Sequence, residues 1–261
     1  MQKKRADLFS FADSPLLFAH RGCSKKAPEN TLAAFQKVLD NGVPGVEFDV
    51  HQCRTGELVV IHDSNVRRVT GHEGIVEDMD LAEIRELDAG AWFSGEFTGE
   101  KIPLLEEVLD LLGDRVYYDI EIKQEKRGFF PIEERLVEML NKRGMKNRVI
   151  ISSFNPYPIK HVRQLDQSIH TAHIYADSEG VPRSLRHGAG RFFCRPEILK
   201  PDSQQVHRWS LFWLRKVEGY PVLIWTVDDT DQAEKFISMG VDGLISNVPE
   251  KFIDLLSSRR D

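Results

Sequence analysis

The chain alternates short apolar runs with stretches in which hydrophobic residues recur at helical spacing, from Leu16 to Leu256. Leu16 to Ala19 reads as a buried strand. Asn30 or Thr31 can cap a helix whose Leu32, Phe35, Val38 and Leu39 share one face before Asn41-Gly42 stops it. Gly45 to Val50 is the second strand. Leu58 to Ile61 returns after the turn Thr55-Gly56, too soon for a helical crossover, so it is expected to pair antiparallel with its predecessor. Residues 64–102 are irregular and rich in Gly and charge, with one helix predicted over 81–87. They read as a small insertion or lid, with Phe93 and Phe97 as candidate contacts to a substrate and Trp92 expected to pack against the rest of the fold. Alternation then resumes: helix 104–112, strand 116–123, helix 132–143, strand 148–154, helix 156–165 and strand 170–175. A weaker unit pairs a strand at 191–194 with a helix at 203–217. Strand 221–227, helix 230–239, strand 242–246 and helix 249–256 close the series. Without the hairpin arm this gives eight strands with helices between them, the pattern of a parallel sheet in an α/β protein. Eight units favour closure into a (β/α)8 barrel with a small insertion after the second strand.

Two strands break the apolar pattern in the same way. In Tyr117-Tyr118-Asp119-Ile120-Glu121-Ile122-Lys123, side-chain alternation sends Asp119, Glu121 and Lys123 to one face. In Val46-Glu47-Phe48-Asp49-Val50 it does the same with Glu47 and Asp49. A solvated sheet face is the ordinary explanation for one such strand. Two of them could share a metal. In barrels of this kind the reactive groups lie at the C-terminal strand ends, and this chain collects there His20-Arg21, Glu47 and Asp49, Glu121 with Lys123, and His62-Asp63 at the end of the hairpin arm. A lone histidine is most often structural; the coincidence at strand ends is what singles these out. Glu47, Asp49 and Glu121 offer hard oxygen ligands suited to one Mg2+ or Ca2+ ion. Arg21 and Lys123 offer positive charge to phosphate oxygens. His20 and His62 can exchange protons near neutrality. Together they suit a phosphodiester hydrolase.

Composition narrows the partners. With 261 residues and a formal net charge of -6, the chain has ample material for a core and lacks the basic excess of a nucleic-acid surface. Cys23, Cys53 and Cys194 are odd in number and widely spaced, which fits a reducing compartment, and the expected location is cytoplasmic. The basic start Met1-Gln2-Lys3-Lys4-Arg5 resembles a signal peptide, but Asp13 and Pro15 interrupt the residues after it. No apolar run is long enough for stable membrane insertion. No dinucleotide or nucleotide-phosphate glycine motif is present.

The motifs Ala19-His20-Arg21-Gly22, Pro28-Glu29-Asn30-Thr31, Glu47-Phe48-Asp49-Val50 and His62-Asp63 are followed by Leu87-Asp88-Ala89-Gly90-x-Trp92-Phe93 and by Ile102 to Val108. Ile120-Glu121-Ile122-Lys123, Trp225-Thr226-Val227 and Gly240-Val241-Asp242-Gly243 complete the series. In this order they resemble the short bacterial glycerophosphodiester phosphodiesterases, over roughly Leu16 to Phe252. The resemblance implies a TIM barrel that hydrolyses small glycerophosphodiesters to glycerol 3-phosphate and an alcohol. It implies metal ligands at Glu47, Asp49 and Glu121, catalytic histidines at His20 and His62, and substrate contacts at Arg21, Lys123 and Trp225. A lyase or lysophospholipase D on the same fold is the alternative, with a non-catalytic phosphodiester-binding barrel behind it. Three departures stand out: the turn Cys53-Arg54-Thr55-Gly56, and acids at Asp119 and Asp228 where the family often has asparagine. His51, on the face of Glu47 and Asp49, is expected to be a hydrogen-bonded turn residue, and Asp119 to orient a site residue without touching the metal.

Overall fold

In the computed structural model, residues 15–124 and 130–257 are described. The basic N-terminal start and Asp13 lie outside them. The chain runs β1 (Leu16–His20), α1 (Leu32–Asp40), β2 (Gly45–Gln52), β3 (Leu58–Val60), α2 (Arg67–Thr70), α3 (Leu81–Glu86) and α4 (Leu105–Leu112). It continues through β4 (Tyr117–Ile122), α5 (Pro131–Arg143), β5 (Val149–Ser153), α6 (Pro156–Leu165), β6 (His170–Tyr175), α7 (Arg191–Cys194) and β7 (Ile198–Pro201). Last come α8 (Arg208–Phe212), β8 (Leu223–Ile224), α9 (Thr230–Ser238), β9 (Gly243–Ser246) and α10 (Ile253–Ser257).

The strands follow the order β7-β6-β5-β4-β2-β1-β9-β8, all parallel along this path, and β3 pairs antiparallel with β2 as the outer arm of a hairpin. Single parallel bridges, Leu199 with Val222 and Asp202 with Trp225, join β7 to β8. The sheet is thus a nearly closed eight-stranded barrel, as the alternation predicts. Inside it Leu16, Phe18, Ile150, Ala172, Ile198, Leu223 and Ile245 form one apolar plug, each full burial of a large side chain being worth about 1.5–3 kcal/mol. A larger core fills the layer between sheet and helices. A separate cluster of Val59, Ile61, Val66, Val76, Ile84 and Ile102 anchors the segment 64–102 to the hairpin arm. Trp92 is 43% exposed, its indole N–H donating to Ala89 O, and its ring meets Phe93 edge-on. It therefore does not pack into the barrel.

The weaker unit is where the structure departs most from the pattern. Residues 191–194 are a helical turn, not a strand, because Phe192 and Phe193 point outward at 70% and 41% exposure. The strand is Ile198-Leu199-Lys200-Pro201. Its lysine and proline conceal a fully buried element, proline being tolerated where the ladder ends. The helix expected over 203–217 is broken into a 3-10 turn at Ser203–Gln205, α8, and a π-helical turn at Trp213–Val217. The strand expected over 221–227 pairs regularly only at Leu223–Ile224.

Candidate active site

Pairing in register places the acids. Parallel β2 and β4 set Glu47 beside Asp119 and Asp49 beside Glu121, with His20 of β1 flanking Glu47. All four carboxylates are buried. One oxygen each from Glu47, Asp49 and Glu121 lies within 4.8 Å of the others. Burial pushes the Glu47 carboxyl well above the usual range, and the charge of Asp49 adds to this. Burial opposes ionisation of Asp49 too, but Lys123 and Arg21 outweigh it and hold that carboxyl well below the usual range. Concentrated, desolvated negative charge on hard oxygens is what a Mg2+ or Ca2+ ion neutralises, so these residues fit one divalent cation.

Two cations border the acids. Lys123 Nζ lies 3.0 Å from Asp49 Oδ1 and 2.7 Å from Glu121 Oε1. Arg21 Nε lies 3.5 Å from Asp49 Oδ2, and Arg21 Nη1 donates to Glu29 Oε1 at 2.9 Å. Arg21 and Gly22 both turn through positive φ, 56° and 77°. A side chain at residue 22 would meet the Ala34 backbone and Cβ at 2.9 Å, so only glycine lets the strand turn this tightly over α1. Thr31 Oγ1 caps α1 by accepting from Ala34 N. This leaves Asn30, itself at φ 58°, to donate from Nδ2 to Asp49 Oδ2 at 2.9 Å.

Each histidine is held from behind. Asn247 Nδ2 donates to Asp228 Oδ2 at 2.7 Å, and Asp228 Oδ1 accepts from Asn247 N and Ser246 Oγ. Because Asp228 can only accept, it turns Asn247 Oδ1 toward His20. His20 Nδ1–H donates to that oxygen at 2.7 Å, leaving Nε2 facing Glu47 Oε2 at 3.9 Å. Burial and the neighbouring Arg21 charge lower the His20 pKa to about 4. His62 Nδ1–H donates to Asp63 Oδ1 at 2.5 Å. Asp63 accepts from Arg68, and Arg68 also donates to Glu29 Oε1 and Oε2 at 2.7 and 3.0 Å. A continuous chain of charge therefore joins His62 to Arg21 through the first helix of the 64–102 segment. His51 contacts Glu77 Oε1 at 2.7 Å and the His62 carbonyl at 3.2 Å, the hydrogen bonding expected of it, although it sits within β2 rather than in a turn.

Asp119 acquires a partner. Lys200, fully buried on β7, places Nζ 2.6 Å from Asp119 Oδ2 and donates to Ser152 Oγ at 3.0 Å, and Ser152 donates to Asp119 Oδ1 at 2.7 Å. Burial works against the lysine charge, but Asp119, Glu47 and Glu121 raise its pKa. Four buried carboxylates thus face Arg21, Lys123 and Lys200. Trp225 donates from Nε1 to Lys200 O at 2.9 Å and meets Phe154 edge-on at 5.5 Å. A cleft of about 100 Å³ opens among His20, Arg21, Glu47, His62, Glu121, Lys123, Lys200, Phe154 and Trp225. Asp49 does not line the cleft itself but contacts Lys123, which does. Trp92, Phe93 and Phe97 do not line it.

The sequence profile described as the Glycerophosphoryl diester phosphodiesterase family matches residues 20–251. The chain belongs to this family. It is 38% identical over 242 residues to the glycerophosphodiester phosphodiesterase of Caldanaerobacter subterraneus subsp. tengcongensis, covering 92% of this chain and 97% of that one. To the glycerophosphodiester phosphodiesterase of Bacillus altitudinis it is 30% identical over 253 residues, 92% and 97% of the two chains. Among solved structures, an Oleispira antarctica phosphodiesterase in complex with the product sn-glycerol-3-phosphate superposes with a TM-score of 0.81. Its identity is 26%, with 96% of this chain and 99% of that chain covered.

The cleft brings together seven of the eight residues singled out from the sequence, and the eighth, Asp49, is tied to that lining through Lys123. Sequence reasoning missed Lys200, Glu29, Asn30, Arg68 and Asn247 as members of the site. Pro28-Glu29-Asn30-Thr31 was visible as a motif, but only the fold shows that Glu29 ties Arg21 to Arg68 and that Asn30 reaches Asp49.

Proposed function

We propose that this chain hydrolyses glycerophosphodiesters to glycerol 3-phosphate and an alcohol, with one divalent cation, Mg2+ or Ca2+, held by Glu47, Asp49 and Glu121. The observation that carries the reading is the meeting of three mutually close buried carboxylates with two back-braced histidines and two cations in one cleft. The Oleispira antarctica relative, which holds sn-glycerol-3-phosphate, supports the product assignment.

A cation bound there supplies charge neutralisation and Lewis acidity toward a phosphate oxygen. Arg21 and Lys123 take the remaining phosphate oxygens, the one as a fork of donors and the other as a point charge. His20, neutral at assay pH and with its free Nε2 turned inward, accepts the nucleophile's proton. His62, set by Asp63, delivers a proton from Nε2 to the leaving alkoxide. Trp225 forms a wall of the cleft against the glycerol portion. The insertion 64–102 contributes through Arg68, which locks Asp63. Three free buried thiols, Cys23, Cys53 and Cys194, support a cytoplasmic location. Among the described residues no helix is long and apolar enough to cross a membrane.

Phosphorus NMR of products from glycerophosphoethanolamine tests the reaction class. Accumulation of glycerol 3-phosphate supports hydrolysis, and a persistent cyclic phosphate identifies a lyase and refutes it.

A further inference from the structure

The outer wall of the barrel beside β7 carries an apolar stripe with no cover. Along α8 and the π-helical turn, Trp209, Phe212 and Trp213 recur at helical spacing and are 82%, 53% and 57% exposed. The opposite face of the same segment is already anchored. Leu211 is buried in the main core, and Leu214 packs on Tyr175, Leu199 and Tyr220. A helix on a barrel exterior needs one apolar face; this one has two.

The stripe is continuous with a second group of rings. Trp213 Nε1 donates to Glu218 Oε1 at 3.0 Å, and Arg191 donates to both oxygens of Glu218. Arg191 stacks over Phe192 at 4.3 Å and Lys160 over Phe193 at 4.2 Å. The rim is basic in a chain whose formal net charge is -6. Arg195, Arg208 and Lys216 are exposed, and among the described residues no ion pair engages them. Glu218, the acid within the patch, is taken by Arg191 and Trp213.

We propose that this face docks the protein peripherally on an anionic lipid bilayer, the rings entering the headgroup boundary and the basic rim meeting lipid phosphates. Exposed Trp and Phe beside unpaired Arg and Lys are the two components of interfacial binding, and neither alone anchors well. A second copy of this chain fits worse. A two-fold contact would set the basic rim against itself, with no free acid among the described residues of the patch to answer it.

Sedimentation with vesicles tests this, using the full chain and lipid of two compositions: phosphatidylcholine alone, and phosphatidylcholine mixed with phosphatidylglycerol. Preferential binding to the mixed vesicles is expected, with a blue shift of tryptophan fluorescence. The Arg208→Gln/Lys216→Gln variant should bind ~30-fold more weakly, and Trp209→Ser should reduce binding while turnover of a water-soluble glycerophosphodiester is unchanged. Trp209 is mostly exposed, so this variant keeps its fold. Absence of binding to mixed vesicles, or binding that neither variant weakens, overturns the proposal. So does a concentration-dependent dimer that Trp209→Ser abolishes.

Discussion

Lys200→Met should be among the most damaging single substitutions in the barrel, and Asp119→Asn should rescue it. Lys200 and Asp119 are 1% and 0% exposed and 2.6 Å apart, so solvent screens the pair little. Removing the lysine strands the Asp119 carboxylate in the interior, beside Glu47 and the rest of the acid cluster. Breaking a buried pair in this way costs about 3–5 kcal/mol, a large share of the roughly 5–15 kcal/mol that holds a typical protein folded. In the double variant the stranded charge is gone, and an amide at residue 119 keeps an oxygen to accept from Ser152 Oγ, as Asp119 Oδ1 does now at 2.7 Å. Methionine fills most of the lysine's volume. The double variant should therefore recover more than half of the loss, a coupling of about 2 kcal/mol or more. Urea unfolding of the wild type, both single variants and the double variant measures it. Losses that add to within about 0.5 kcal/mol would show that the two side chains do not act as a pair, and the account of Asp119 would fail.

Three further outcomes concern the site and its surroundings. His62→Ala should fold normally and lose about 100- to 10,000-fold in turnover. The loss should shrink on a diester with a p-nitrophenyl leaving group, which needs no proton, whereas His20→Ala should not be rescued; the reverse pattern exchanges their roles. Asp228→Ala frees the Asn247 amide to present Nδ2 to His20, so turnover should drop with little change in KM, while an unaltered kcat would remove Asp228 from the support of His20. Burial lowers the His173 pKa to about 4, below its unfolded value of about 6.5, so the unfolded chain gains a proton first and stability falls as pH drops through that window. This amounts to about 2 kcal/mol between pH 6.5 and 4.5, and His173→Gln should flatten the measured slope by that much. An unchanged slope would place the titration elsewhere.

The barrel was legible because each helix buries one face, which leaves a period in the sequence, while strands buried on both faces leave short apolar runs such as Leu16 to Ala19. Helix 156–165 and strand 170–175 keep their expected bounds for this reason. The acids on β2 and β4 could be read because alternation alone puts them on one face. The β7 unit could not, since its strand carries a lysine whose counter-ion sits on β4, across the barrel interior, while the apolar-looking Phe192-Phe193 faces outward. Local patterning records burial, and it is silent when burial is bought by a partner distant in the chain. The same holds for Asn247 and Asp228. Nothing near them in sequence needs bracing; the histidine they hold is on the first strand.

The central claim is a divalent cation on Glu47, Asp49 and Glu121 serving hydrolysis of a glycerophosphodiester. Release of glycerol 3-phosphate from glycerophosphoethanolamine, followed by a coupled assay after chelation and stepwise return of Mg2+ or Ca2+, tests it most directly. The wild type should lose activity on chelation and regain it on titration, and Glu121→Gln should need markedly more metal for half-recovery. Activity that survives chelation, or a metal requirement that Glu121→Gln leaves unchanged, would contradict the account.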